Sequence, residues 1–316
     1  MANKCLSLAL HGGAGAVKSR DYGREVPHMQ GLVEAARDRL SAGASALDVA
    51  VETVAALEAS GLYVAGRGAS PNLAGVYELD ASLMDGATMK AGAVAALTGF
   101  RSPIAVARCV MERTSHVMLA GEGAAAFAAE QGMARIDDPA RWFTRAAAEL
   151  DDAGHAHGTV GCVVRDAEGR LAAATSTGGT FGKLPGRVGD TPVIAAGTWA
   201  DGTVAVSSTG IGEYFIRTAA AAQVAFRVRF GGQSLSEAAD SVLGEIAALG
   251  GDGGLIALDA EGNLTLPYNS EGMKRAWLSP DGQIGAAVFS EPLTPAKAGT
   301  HTESAWVPPF VGMSGV

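Results

Sequence analysis

Apolar residues recur at helical spacing in the stretch that follows Ser45. Leu47, Val51, Val54 and Leu57 fall on one face of a helix, and the Ser45 hydroxyl suits the N-cap because it can accept from an unpaired backbone N–H. This pattern predicts a helix over 45–59. Comparable stretches predict further helices over 27–42, 102–113, 121–131, 213–228 and 235–249.

Short apolar runs bounded by turn residues predict the strands. Residues 159–165 and 171–175 flank Asp166-Ala-Glu-Gly169, a turn sequence, and so predict a hairpin. The same turn sequence recurs between 255–258 and 264–266. Further strands are predicted over 5–10, 193–197 and 204–207, and the Gly-rich stretch 61–85 is strand-like. Because strands and helices come in blocks, an α+β or layered αββα fold fits better than strict βαβ alternation.

Two segments have no clear periodicity. Residues 137–158 are polar and predict an exposed connector, whereas residues from about 291 onward predict a loose tail. The connector separates a largely helical first half from a second half that begins with the predicted hairpin.

The composition narrows the functional class. Glycine is abundant, at 43 of 316 residues, which indicates tight turns and close backbone approaches. A net charge of -9 and an aromatic content of 6% argue against a nucleic-acid partner, which requires a basic surface. No run approaches 18 apolar residues and the N-terminus lacks a long apolar segment, so we expect a cytoplasmic protein without a membrane partner.

Several common motifs are absent or incomplete. The sequence His11-Gly-Gly-Ala-Gly15 fails the GxGxxG dinucleotide fingerprint, and the Gly182-Lys183 pair fails the P-loop pattern. Cys5, Cys109 and Cys162 are widely spaced and predict neither a zinc site nor a disulfide framework. A nucleotide-binding protein that uses the glycines after His11 is therefore only an alternative.

Gly158-Thr159 is the first candidate for chemistry. A threonine hydroxyl is a weak nucleophile until a base activates it, and one such base is the α-amino group of the same residue, freed when the preceding peptide bond breaks. Gly158 would tolerate the strained backbone that such cleavage requires. By itself the pair is a weak signal, because Gly-Thr is common and a structural threonine begins many strands.

The motifs around Thr159 favour the catalytic interpretation. Thr159-Val-Gly161 is followed by Thr175-Ser-Thr-Gly-Gly179, then by Lys183-Leu-Pro-Gly-Arg-Val-Gly-Asp190, then by Ser207-Ser-Thr-Gly-Ile-Gly-Glu213. With the HGGAG sequence at the start, this set closely resembles the plant-type asparaginases, or isoaspartyl peptidases, of the N-terminal nucleophile hydrolase superfamily. The resemblance extends from about residue 6 to residue 277. It implies a four-layer αββα sandwich that cleaves itself into an α chain, 1–158, and a β chain, 159–316, with a dispensable tail at 291–316.

The resemblance also assigns roles to individual residues. It implies that Gly158–Thr159 is the cleaved bond and that Thr159 is the nucleophile. The other assigned residues form or support the substrate site: Thr177 beside the nucleophile, Arg187 for the substrate α-carboxylate, Asp190 for its α-amino group, Thr209 and Gly210 for the oxyanion hole, and Gly212 along the aspartyl end.

No catalytic cofactor is implied, but the resemblance does imply a structural Na⁺ bound by backbone carbonyls. The carbonyls would come from one helix-to-loop segment: Leu57, Glu58, Ser60, Tyr63, Ala65 and Arg67. Val64 departs from the family pattern, which usually has asparagine there.

The expected reaction is hydrolysis of L-asparagine and β-aspartyl dipeptides, small-molecule substrates, with release of L-aspartate by a dimer of αβ units. Two alternatives remain within the same fold: a glycosylasparaginase-type amidohydrolase and an unprocessed binding protein without catalytic activity.

Overall fold

Two β-sheets form the centre of the protein in the computed structural model, which describes residues 6–144 and 158–290. The smaller sheet has four strands in the order β10-β9-β8-β7, and the larger has eight in the order β12-β11-β1-β5-β6-β2-β3-β4. The strands are β1 (Ser7–Ala14), β2 (Leu79–Asp85), β3 (Ala91–Leu97), β4 (Met118–Ala120), β5 (Val160–Arg165), β6 (Leu171–Thr177), β7 (Thr198–Ala200), β8 (Val204–Gly210), β9 (Gly253–Asp259), β10 (Leu264–Thr265), β11 (Met273–Leu278) and β12 (Ile284–Ala287).

Helices cover the outer face of each sheet. They are α1 (Glu25–Ser41), α2 (Ala46–Ser60), α3 (Pro103–Arg113), α4 (Gly121–Glu130), α5 (Pro139–Trp142), α6 (Gly212–Thr218), α7 (Ala220–Gly231) and α8 (Leu235–Ala248), with a short 3₁₀ turn at Gly66–Gly68. Helices α1 to α4 share one apolar cluster with the large sheet, and α7 and α8 share another with the small sheet. A third cluster lies between the sheets, so the fold is the expected four-layer αββα sandwich.

The predicted helices begin where the sequence places their caps. The Ser45 hydroxyl accepts from the Asp48 backbone N–H at the start of α2, and Ser102 accepts from Ala105 at the start of α3. Both contacts satisfy a backbone donor that has no partner within its own helix. The two caps explain why these helix boundaries follow from the sequence within one residue.

Other predictions need correction. The helix predicted over 213–228 is two helices, α6 and α7, because the backbone takes a left-handed conformation at Ala219 with φ +48°. Residues 193–197 form turns rather than a strand. The strand-like stretch 61–85 is mainly loop, and only β2 at its end is a strand. The first strand runs through the HGGA sequence instead of ending before it.

The predicted tail lies outside the described residues, as do residues 145–157 of the predicted connector. Connector residues before that gap include the short helix α5. Among the described residues, no helix has the length and apolar character that a membrane crossing requires.

Sheet topology brings three strand ends to one end of the sandwich. Strands β5 and β6 are antiparallel neighbours with Val160 opposite Ser176, so the start of β5 lies beside the end of β6. Strand β8 of the small sheet ends at Gly210, and its inner face packs against the large sheet. Thr159, Thr177 and Gly210 consequently meet although they are distant in the sequence.

Candidate active site

A narrow cleft at this end of the sandwich contains most of the predicted residues. Its lining is Gly158, Thr159, Thr177, Gly179, Thr180, Arg187, Gly189, Asp190, Thr191 and Gly210. Polar groups dominate this lining, and the peptide bond before Thr159 forms part of it. The arrangement therefore places the predicted nucleophile, its neighbour Thr177 and the predicted substrate clamp around one space.

Thr177 contacts both sides of the Gly158–Thr159 bond. Its hydroxyl donates to the Gly158 carbonyl at 2.7 Å, and the Thr159 hydroxyl donates to Thr177 Oγ1 at 3.3 Å. The backbone N–H of Gly179 also donates to Thr177 Oγ1 at 3.0 Å, which holds that oxygen in place. A donor at the Gly158 carbonyl would stabilise the negative charge that develops when the carbonyl is attacked.

The HGGAG segment, which fits no nucleotide-binding motif, lies against the same bond. A Cβ on Gly13 would lie 3.2 Å from Gly158 Cα and from Thr159 N, and the φ of Gly13 is +101°. Only glycine therefore fits there without strain. His11, two residues earlier, has Nδ1 3.1 Å from the Thr159 carbonyl oxygen.

Val64 packs against the glycine before the nucleophile. A Cβ on Gly158 would lie 3.0 Å from both Cβ and Cγ2 of Val64. The position where the family usually has asparagine therefore presents an apolar side chain to the predicted cleavage site.

Arg187 is held by Glu213 rather than by Asp190. Its Nε and Nη2 donate to the two oxygens of Glu213, each at 2.9 Å. The Arg187 guanidinium lowers the pKa of Glu213. The Nη1 edge is left for a ligand, and a Cβ on Gly189 would lie 2.9 Å from Nη1, so a side chain there would crowd that edge. The end of the guanidinium has N–H donors on Nη1 and Nη2, and this pair matches the two oxygens of a planar carboxylate.

Asp190 supplies an unpaired acceptor next to this donor edge. It is 4% exposed, and its Oδ2 has no hydrogen-bond partner among the described groups. Burial raises the pKa of Asp190 to about 7, and the nearby Arg187 charge offsets only part of this effect. An ammonium group bound beside Oδ2 would supply the missing partner and favour the ionised carboxylate.

Of the two predicted oxyanion residues, Gly210 lines the cleft and Thr209 does not. Gly210 lines the cleft with φ +151°, and a Cβ there would lie 2.4 Å from the Asp252 carbonyl oxygen. Thr209 is fully buried, and its hydroxyl accepts from the Ala14 N–H at 3.1 Å. Gly212 does not line the cleft, but it lies against Asp190, whose Oδ1 would be 2.7 Å from a Cβ.

The segment predicted to bind Na⁺ folds back on the C-terminal end of α2. A Cβ on Gly68 would lie 2.0 Å from the Tyr63 carbonyl oxygen, and one on Gly66 would lie 2.7 Å from that of Glu58. The glycines thus let the chain pack closely against these carbonyl oxygens. The Tyr63 carbonyl accepts from the Ala65 N–H and keeps a second lone pair, whereas the Arg67 carbonyl accepts from both the N–H and the hydroxyl of Thr144. The segment fits a cation bound by backbone oxygens, whereas the described side chains form no cluster suited to a metal.

Known proteins resemble this chain along most of its length. A family model described as Asparaginase matches residues 4–286. An isoaspartyl peptidase of Salmonella typhimurium is 51% identical over 294 residues, which cover 85% of this chain and 94% of that protein. The isoaspartyl peptidase of Escherichia coli is 46% identical, with 85% and 92% covered. A plant-type L-asparaginase of Thermococcus kodakarensis is 37% identical, with 86% and 96% covered.

Proposed function

This chain belongs to the asparaginase family, and we propose that it is a self-processed threonine hydrolase that releases L-aspartate from L-asparagine and β-aspartyl dipeptides. The observation that carries the proposal is the contact set around Thr177. One hydroxyl links the Thr159 nucleophile to the carbonyl of the bond to be cleaved, in a cleft that is also lined by Arg187 and by the unpaired carboxylate of Asp190.

Processing would begin with attack of Thr159 Oγ on the Gly158 carbonyl carbon. The Thr177 hydroxyl stabilises the negative oxygen of the tetrahedral intermediate. Collapse breaks the C–N bond, the nitrogen takes a proton, and an ester joins Gly158 to the Thr159 side chain. Water then hydrolyses the ester, which leaves a carboxylate at Gly158 and a free α-amino group at Thr159. The products are two chains of 158 residues each.

The free α-amino group then serves as the base for substrate hydrolysis. The substrate α-carboxylate binds the outer edge of Arg187 and its ammonium binds Asp190, which places the side-chain amide at Thr159. The α-amine accepts the hydroxyl proton as Thr159 Oγ attacks, and Thr209 with Gly210 stabilises the oxyanion. The amine leaves with a proton, and water releases L-aspartate from the ester.

The remaining features of the proposal rest on the same family membership. We propose that the described sandwich is one domain made of an α chain, 1–158, and a β chain, 159–316, and that the enzyme is a cytoplasmic dimer of αβ units. A structural Na⁺ would be bound by the carbonyls of the segment from Leu57 to Arg67, where it would stiffen the loop that contains Val64.

Mass spectrometry of the purified protein tests the proposal. The wild-type chain and Thr159→Ser should appear as two chains of equal length, because each has an oxygen nucleophile, whereas Thr159→Ala should remain a single 316-residue chain. Cleavage of Thr159→Ala at the same bond would rule out self-processing.

A substrate panel on the processed protein then tests specificity. L-Asparagine and a β-aspartyl dipeptide should be hydrolysed, and an ordinary α-aspartyl dipeptide should not. In the α-linked dipeptide the α-carboxyl group is used in the peptide bond, so no free α-carboxylate is available to bind Arg187 while the ammonium binds Asp190. Equal turnover of the α-linked dipeptide would contradict the assigned substrate class.

A further inference from the structure

A chain of buried hydroxyl groups lies between the two sheets, directly behind the nucleophile. The inner faces of the sheets are apolar at Ala9, Ala173 and Ala205, and become polar two residues further along each strand, near the cleft. Consecutive contacts of 2.5–3.1 Å link the Thr159 carbonyl to the Thr191 carbonyl, in the order His11, Ser207, Thr175, Thr198 and Ser82. The hydroxyl chain thus connects Thr159, the proposed nucleophile, to Thr191, which follows Asp190.

The contacts of His11 determine its tautomer. A carbonyl oxygen only accepts, so the Nδ1 atom next to the Thr159 carbonyl must have the hydrogen. Burial, with a smaller contribution from the charge of Lys274, lowers the pKa of His11 to about 3 although the hydrogen bond to the Thr159 carbonyl acts in the opposite direction, so the imidazole is neutral. Its Nε2 is therefore an acceptor, and the Ser207 hydroxyl donates to it at 2.9 Å.

This assignment orders the hydroxyls from the nucleophile outward. Because Ser207 donates to His11, Thr175 must donate to Ser207, and Thr198 donates to Thr175. Ser82 has one hydrogen but two acceptors, Thr198 Oγ1 at 2.8 Å and the Thr191 carbonyl at 2.6 Å. Thr175 likewise has a second acceptor, the Gly197 carbonyl at 3.3 Å, but that carbonyl already accepts from the Ser208 N–H. The hydroxyl chain therefore lacks one hydrogen at the clamp end, between Ser82 and its two acceptors.

The glycine of the Thr-Val-Gly motif makes room for the first links. A Cβ on Gly161 would lie 1.9 Å from Ser207 Oγ and 2.5 Å from His11 Nε2. Gly161 faces His11 across the β1–β5 pair, so any side chain there would separate the imidazole from the serine.

We propose that His11 is a positioning residue, which holds the Thr159 carbonyl while the hydroxyl chain behind it fixes the imidazole. The inference rests on the proposed function, because it takes Thr159 as the nucleophile. Processing would turn Thr159 into a chain end, and chain ends are mobile unless they are tied down. The hydrogen bond from His11 Nδ1 would then hold the Thr159 carbonyl in place, and with it the hydroxyl and the amine of the same residue.

Nuclear magnetic resonance of the wild-type protein with isotope-labelled histidine tests the tautomer without any mutation. His11 should be neutral at pH 7 with the hydrogen on Nδ1, the less common tautomer of free histidine, and its signal is identified as the one missing from His11→Asn. An imidazolium, or a hydrogen on Nε2, would overturn the proposal.

Kinetics on the processed protein test the positioning role. His11→Leu should lower kcat for L-asparagine about tenfold or more and change KM less than about threefold, because the clamp is untouched. His11→Asn should recover part of the loss, since its amide can donate to the same carbonyl. A processed His11→Leu enzyme with wild-type kcat, or a loss confined to KM, would overturn the proposal.

Two adjacent serines provide a matched pair that leaves His11 in place. Ser207→Ala should lower kcat, whereas Ser208→Ala should not, because among the described residues the Ser208 hydroxyl bonds only the Ala196 carbonyl, at 3.4 Å. Equal kcat values for the two variants would contradict the proposal that the hydroxyl chain fixes the His11 imidazole. If the wild-type protein were unprocessed and inactive but had the Nδ1–H tautomer, the proposed function would fail while the contact itself would stand.

Discussion

Replacing Asp190 by asparagine should stabilise the ligand-free protein at neutral and alkaline pH while abolishing substrate binding. The Asp190 carboxyl is buried, its Oδ2 lacks a partner among the described groups, and burial raises its pKa from 3.8 to about 7. An ionised carboxylate in that position costs folding free energy, which the substrate ammonium would offset on binding. An amide has no charge to desolvate and so avoids the cost.

The pKa shift gives the size of the effect. The folded protein holds the Asp190 proton up to about pH 7, whereas the unfolded chain loses it near 3.8. The stabilising contribution of the protonated group is thus complete below pH 4 and is lost as pH rises to about 7. Each pH unit in that window is worth about 1.4 kcal/mol, so about 3 kcal/mol is lost between pH 5 and pH 8. Asp190→Asn lacks this titration.

Urea unfolding at pH 5 and pH 8 measures the difference. Both proteins should contain Thr159→Ala, so that each is a single chain and its unfolding is not complicated by separation of α and β chains. Relative to its parent, Asp190→Asn should gain about 3 kcal/mol in the free energy of unfolding on going from pH 5 to pH 8. Titrations of other groups occur in both proteins and cancel in this comparison.

Asp201→Asn is the matched control. The Asp201 carboxylate accepts from the N–H groups of Thr203 and Val204, and its pKa is lowered, although burial acts in the opposite direction. Its stabilising contribution is lost only when the pH falls below about 4, so this variant should show the same deficit at pH 5 and pH 8. If the stability difference between Asp190→Asn and its parent were also independent of pH, the assignment of a costly buried carboxylate would be refuted.

The remaining predictions concern catalysis and processing. Arg187→Ala should lower kcat/KM about ten- to a hundredfold with processing intact, and Arg187→Lys should recover only part. Thr177→Val should slow processing about a hundredfold in a gel time course, because the Gly158 carbonyl loses its donor, whereas an unchanged rate would contradict that role. Activity should rise with pH through titration of the Thr159 α-amino group, near 7.7–8.0 or lower, and a flat profile would argue against the amine as base. Val64→Asn should speed processing, because an amide next to Gly158 can donate to the peptide group.

Local chemistry made much of the fold predictable. Helix α3 begins and ends within a residue of its prediction because Ser102 and Pro103 both favour a helix start, and the two turn sequences at Asp166 and Asp259 separate the expected strands. Those signals act over a few residues, so they survive in any tertiary context.

Elements fixed by tertiary contacts were not predictable. The stretch 61–78 contains apolar residues and glycines as a strand would, yet it folds as a loop because Gly66 and Gly68 let the chain pack against Glu58 and Tyr63. The break at Ala219 likewise has no local cause in the sequence, since alanine disfavours a positive φ. Close packing explains the first conformation, whereas the second has no explanation in the sequence.

The site shows the same division between residues that a motif identifies and residues that only the fold identifies. Thr159, Arg187 and Asp190 have side chains whose chemistry points to a reaction, so a sequence motif can name them. Glu213 was visible in the sequence but had no assigned partner until α6 placed it on Arg187.

His11 belongs to the second kind, because its contribution depends on register across two sheets. Its partner Ser207 is 196 residues away, and the two meet only because β1 pairs with β5 while the inner face of β8 lies opposite. Gly161 lacks a side chain for a reason that lies in neither of its chain neighbours but in that distant contact, which a Cβ would displace. A motif can therefore record the space that a hydrogen bond needs without revealing the bond, and the proposed role of His11 at Thr159 depends on both.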